Sequence, residues 1–166
     1  MKTHGFDKRF VILFMTMALS FLVSCTNAGL WRNTTAQRLA APVQMLHREV
    51  KSDPFVLTMY DRIRAPGKPA VIYIEGDGVA FLSRNQPSLD PTPKNPVALH
   101  LATRDHAPNV IYMARPCQYT RLIDTSQPCP HEYWGVKRFA PEVIKSMNNA
   151  IEYLVRKYDI GPLHLV

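Results

Sequence analysis

No apolar run in this chain is long enough to cross a bilayer. The longest, residues 10–23, has fourteen members, against the roughly 20 that a spanning helix requires. A basic face is missing as well. The formal charge of +7 shrinks once residues 1–24 are set aside, because they carry three of the 20 basic and one of the 13 acidic residues, leaving 17 against 12. Those charges are scattered, with Lys137-Arg138 and Arg156-Lys157 the adjacent pairs. A nucleic-acid binder concentrates its cations on one face among aromatics, so no nucleic-acid partner is expected, and the excess reads as solubility with weak attraction to anionic head groups. Internal repeats are lacking, and 166 residues hold one globular domain at most. Cysteine is sparse, with three in the chain.

The amino-terminal segment is present for another purpose. Lys2, Lys8 and Arg9 precede the apolar run, which gives the n- and h-regions of a secretory signal. The run closes on Leu22-Val23-Ser24-Cys25, which resembles a bacterial lipobox. That implies a signal peptide over residues 1–24, lipidation of Cys25 and membrane attachment through the lipid. Thr26 rather than Asp follows the cysteine, which goes with the periplasmic face of the outer membrane. Residues 25–33 read as a tether, and 34–166 as the domain. Export places Cys117 and Cys129 in an oxidising space, where a disulfide is the default. The alternative adds His131 as a third ligand of a partial zinc site, but only three ligands are in view and Pro130 stiffens the segment.

Residues 34–41 have helical composition, limited by Pro42. Residues 45–51 and 55–63 flank Ser52-Asp53-Pro54, a turn signal, and alternate with the period of a strand. An antiparallel hairpin therefore opens the domain. Residues 64–69 form a polar turn, and 70–74 (AVIYI) read as a strand buried on both faces. That strand breaks at Glu75-Gly76-Asp77-Gly78, where glycines free the backbone to turn its N–H groups toward something bound. Residues 82–95, with Pro87, Pro91 and Pro93, exclude an interior helix or central strand and read as a surface loop. Asn95-Pro96 predicts an N-cap and first helical position, with the helix stopped at 105–108. A second buried strand covers 109–114, and a cysteine-bounded excursion runs to Gly135. Pro141 opens the longest helix, whose apolar residues recur at three- and four-residue spacing to Tyr158. A final strand begins at Leu163. Strands alternating with helices predict an α/β fold with parallel pairing and crossover helices.

YIEGDG (73–78), QPSLDPTPKNPVALHLA (86–102), NVIYMARPCQY (109–119) and WGVKRFAPEV (134–143) together resemble the amino-terminal half of exported bacterial α/β-hydrolase-fold lipoproteins. The resemblance implies a serine hydrolase of esterase type, acting on a small ester or amide without a cofactor. Its nucleophile would come at a G-x-S-x-G elbow after the strand at 163–166, followed by the acid and the histidine. None of these three is expected within this chain, which would be an incomplete, partial α/β-hydrolase domain. The oxyanion-hole candidates are Gly76, Asp77, Gly78 and Val79, with Glu75 standing where lipases carry histidine. The alternative function is a non-catalytic envelope lipoprotein or binding module on a degenerate hydrolase fold.

The remaining polar residues carry weaker expectations. Ser83 and Ser88 have no adjacent base. His164 reads as a core histidine and His100 as exposed. Glu75, Asp77 and Asp90 could supply paired carboxylates, with nothing in the spacing to select two. Arg115 could meet an acidic substrate or pair with Asp124, while Trp134 and Phe139 would pack the excursion onto the core.

Overall fold

The computed structural model describes residues 27–120 and 129–166, with side chains from residue 31 onward. The expected signal peptide, Cys25 and Asp124 lie outside the described residues. Helix α1 (Asn27–Ala40) begins earlier than the sequence suggests, so residues 27–33 form its first turns rather than a tether. Asn33, Thr34 and Thr35 are weak helix formers. The helix is fastened instead by Arg32, whose Nη1 donates to the backbone oxygens of Asp90 at 3.1 Å and Thr92 at 2.9 Å.

The expected hairpin is β1 (Leu46–Ser52) and β2 (Phe55–Ile63), an antiparallel ladder from Leu46 opposite Asp61 to Ser52 opposite Phe55. The polar turn that follows is organised by fully buried Asn109. Its Oδ1 accepts the Arg64 and Ala65 amides at 3.1 and 3.0 Å, and its Nδ2 donates to the Ala65 oxygen at 2.7 Å. Then comes β3 (Ala70–Ile74). The proline-rich stretch is not wholly a surface loop. It opens with a short ladder, β4 (Phe81–Ser83) against β5 (Gln86–Pro87), and then buries Pro91, Thr92 and Pro93. Helix α2 (Val97–Arg104) is capped by Pro96 with no side-chain hydrogen bond, not by Asn95. Strand β6 (Asn109–Met113) precedes the excursion, and α3 (Pro141–Tyr158) leads to β7 (Leu163–Leu165).

The sheet order is β1-β2-β6-β3-β7. The hairpin joins β6 antiparallel, while β3 runs parallel to both β6 and β7. This is a mixed sheet in an α/β fold with three helices among the described residues. Strand parity divides the interior into two cores. Leu57, Met59, Ile72, Ile111 and Met113 face α3, whose stripe is Val143, Met147, Ala150 and Leu154. Tyr60, Val110 and Tyr112 face α1 and α2. The fully buried strand is thus β6, whereas Val71, Tyr73 and Ile74 of β3 are half-buried. Each fully buried aliphatic side chain contributes about 1.5–3 kcal/mol. Ser52 and Ser146 pin α3 to the hairpin by reciprocal hydroxyl-to-carbonyl bonds of 2.7 and 2.6 Å. Among the described residues, no helix is long and apolar enough to cross a membrane.

Candidate functional site

Three parallel strands finish together at one edge of the sheet. The Ile74 amide donates to the Val166 oxygen at 3.0 Å, the Val166 amide to Ile72 at 2.9 Å, and the Glu75 amide to Met113 at 2.9 Å. A cavity of about 590 Å³ opens there, lined by Glu75, Gly76, Gly78 and Val79 of the turn, the first turns of α2 and Val166. Glu75 folds back under the turn and is buried. Its Oε1 accepts the Gly76 amide at 3.0 Å and the Ala98 amide at 3.5 Å, and its Oε2 accepts the Tyr112 hydroxyl at 3.2 Å. A carboxylate at the positive end of α2 does electrostatically what a side-chain cap would do.

The four oxyanion-hole candidates divide two and two. Gly76 spends its amide on Glu75, and Val79 spends its own on the Pro91 oxygen at 3.0 Å. Among the described residues, the Asp77 and Gly78 amides have no partner. The Asp77 carboxylate does not cap the following turn. It pairs with Arg115 Nη1 at 3.2 Å and Arg138 Nε at 3.6 Å. Gly78 is required: its φ is +63° and a Cβ would sit 2.1 Å from the Pro91 oxygen and 2.9 Å from Gln118 Nε2. Gly76 is not, since nothing lies within 4 Å of its Cβ position.

Beneath the turn lies the start of the excursion. Cys117 and Cys129 are joined by a disulfide across twelve positions, which occupies both sulfurs that the zinc alternative needs. Cys117 and Tyr119 take left-handed φ values of +71° and +66°, costly for non-glycine residues, and Gln118 between them is buried. Gln118 Nε2 donates to the Gly76 oxygen at 2.8 Å while its Oε1 accepts the Arg115 amide at 3.0 Å. The Tyr119 amide donates to Thr92 Oγ1 at 2.7 Å. Arg115 therefore faces Asp77, while the expected pairing with Asp124 falls outside the described residues. Burial lowers its pKa, Asp77 opposes that and Arg138 adds to it. Trp134 is buried as expected, but Phe139 is 64 % exposed, with the Arg115 and Arg138 guanidinium carbons 4.8 and 5.2 Å from its ring centre.

The other candidates stand apart. Ser83 is exposed, and the Ser88 hydroxyl bonds the Asp90 backbone, donating at 2.8 Å and accepting at 3.1 Å. Asp90 pairs with Arg32 at 3.1 Å, so Glu75, Asp77 and Asp90 each have separate partners. His164 is exposed rather than core, because alternate β7 positions face away from α3, and His100 is half-buried. Sequence reasoning missed Gln118 and Arg32. Gln118 carried a signal, since a polar residue beside a bridged cysteine has little freedom to leave the core. Arg32 sits in an unpatterned segment and carried none.

The Gly78 amide, without a partner among the described residues, lies on the cavity with the Asp77 amide next to it in the chain. Such donors can polarise a carbonyl or hold a developing anion, the Asp77 carboxylate being held by two arginines and that of Glu75 by N–H and O–H donors. No family model, curated protein or solved structure matches this chain.

Proposed function

We propose that this chain builds the oxyanion side of a lipid-anchored serine hydrolase of the α/β-hydrolase fold, acting on a small ester or amide. The observation that carries the reading is the meeting of the Gly76–Gly78 turn with the tip of β7 on one cavity. In such enzymes the nucleophile elbow follows that strand, so a serine there would stand beside the turn. Asp77 and Gly78 supply the N–H donors, a single one of which can contribute about 3 kcal/mol to the transition state. Gln118 and the Arg115–Asp77 pair hold the turn in place.

The test is fluorophosphonate labelling of the native gene product isolated from cell envelopes, with the labelled peptide sequenced and the gene read past codon 166. A labelled serine in a G-x-S-x-G context supports the reading. A stop codon at that point, or a full product that takes no label, overturns it. The second reading is a non-catalytic envelope lipoprotein built on the same half-fold. It draws on the Gly76 and Val79 amides being already engaged, and an unlabelled elbow without a nucleophile would favour it.

A further inference from the structure

We propose that the loop edge of the sheet, formed by the β4–β5 hairpin and residues 135–139, is a docking surface for an anionic lipid bilayer. Single exposed apolar side chains are ordinary on a protein surface, but a contiguous set calls for a reason. Here Phe81, Leu82, Val136 and Phe139 are 48, 58, 89 and 64 % exposed. A Cβ on Gly135 would lie 3.9 Å from Phe81 Cζ, which brings the β4–β5 hairpin against the start of the segment that carries Val136 and Phe139. The Ser88 amide donates to the Ala80 oxygen at 2.9 Å and brings Leu89, 79 % exposed, beside the hairpin.

The exposed charged residues of segments 81–89 and 135–139 are cationic, alongside neutral Ser83, Asn85 and Gln86. Arg84, Lys137 and Arg138 are all exposed. The acid beside them, Asp77, is paired with Arg115 and Arg138, and Glu132 is half-buried beside His131 at 3.7 Å. Apolar side chains ringed by Lys and Arg suit the boundary between acyl chains and anionic head groups, where each cation adds roughly 1 kcal/mol. An acidic protein face would meet the charges but leave Val136 and Leu82 without a hydrocarbon phase.

The reach of the chain points to the same occupant. Arg32 is bonded to Asp90 and Thr92, next to Leu89, and α1 starts at Asn27. At about 1.5 Å per helical residue Asn27 stands roughly 8 Å along α1 from the Arg32 backbone, and the two residues from there to Cys25 can add at most about 7 Å. A lipid on Cys25 would therefore hold this edge against the bilayer. The opposite edge carries its own exposed cations, Arg64 and Lys68. The reach argument rests on the lipid-anchor reading above, whereas the composition of the patch does not.

The test uses the full gene product purified from envelopes and reconstituted into vesicles of phosphatidylethanolamine and phosphatidylglycerol carrying a photoactivatable acyl chain. Cross-linked peptides are mapped by mass spectrometry. Adducts on 81–89 and 135–139 should exceed those on 64–68 by about fivefold or more, and should fall by a similar factor in phosphatidylcholine vesicles or in the Val136→Asp/Phe139→Ser variant. Both substitutions are at exposed positions, and the circular dichroism spectrum checks that the variant folds. Equal labelling of 64–68, or labelling that the double variant leaves unchanged, overturns the docking surface. The intact mass reports acylation of Cys25 separately. Patch labelling with an unmodified Cys25 supports the surface and removes the anchor reading, whereas a lipidated Cys25 without patch labelling overturns the surface alone.

Discussion

Gln118 fixes the aim of the Asp77 amide without touching it. Its Nε2 holds the Gly76 oxygen at 2.8 Å, and the Gly76 carbonyl shares one planar trans peptide with the Asp77 N–H, so the two point in opposite directions. The Asp77 amide is thereby directed away from Gln118. Nothing packs at the Gly76 Cβ position, so without that bond the peptide would be restrained only by the Gly76 amide bond to Glu75 and the ion pairs of Asp77.

Replacing Gln118 by leucine, close to it in volume, should therefore do two things. It leaves the Gly76 oxygen and the Arg115 amide without their partner in a partly buried place, at a cost of about 1 kcal/mol or more. It also frees the turn, so the Asp77 and Gly78 amide resonances should shift and broaden. Urea melts and proton–nitrogen correlation spectra read both effects. Coincident melts, or unmoved Asp77 and Gly78 resonances, would show that the turn is held by something else.

The two glycines of the turn make an internal contrast. Gly78→Ala places a methyl 2.1 Å from the Pro91 oxygen at φ +63°, so it should destabilise by about 2 kcal/mol or more. Gly76→Ala meets open space and should change the melt by no more than about 0.5 kcal/mol. Equal effects in thermal melts of the two variants would contradict this assignment of the turn.

Much of this architecture was legible in the chain because the deciding signals are local. Ser52-Asp53-Pro54 marks the hairpin, Pro141 and Asp159 bound α3, and the apolar runs mark β3 and β6. The disulfide followed from the expected export and from cysteine parity. What stayed hidden depends on partners distant in sequence. Glu75 replaces Asn95 as the cap of α2 across twenty-three positions, and Arg32 fastens an unpatterned helix across fifty-eight. The assignment of Val79 as an oxyanion donor could not anticipate Pro91, because a proline-rich loop read as solvent-exposed gives no warning that its carbonyl turns inward. Local composition predicts which elements form, and long-range hydrogen bonds decide which amides remain free.

The cysteine bridge should matter beyond its own loop. Closing a loop of this length stabilises the fold by roughly 3 kcal/mol in the chain-entropy model. The residues it restrains, Cys117 and Tyr119, hold left-handed backbone conformations on either side of Gln118. The Cys117→Ser/Cys129→Ser variant should lose about 2–4 kcal/mol in denaturant melts. It should also reproduce the Asp77 resonance shift of Gln118→Leu. A loss of stability with unchanged Asp77 and Gly78 resonances would separate the bridge from the turn.

Alkaline pH should unfold this protein through its buried phenols. Burial raises Tyr60 to about 12 from its ordinary value near 10, and it raises Tyr112 and Tyr119 further in the same direction. A raised phenol keeps its proton in the folded chain at a pH where the unfolded chain has lost it. The unfolded state then binds fewer protons, so stability falls as pH rises. The contribution is complete below the unfolded value of about 10 and is lost progressively above it. Urea midpoints should hold steady between pH 7 and 9 and drop between pH 10 and 12. Tyr60→Phe cannot ionise and has no hydroxyl partner to lose among the described residues, so it should flatten that drop while leaving the neutral-pH midpoint nearly unchanged. Tyr112→Phe should flatten it too, but with a cost already present at pH 7, because its hydroxyl donates to Glu75 at 3.2 Å. A Tyr60→Phe profile parallel to that of the unsubstituted protein would place the alkaline transition elsewhere.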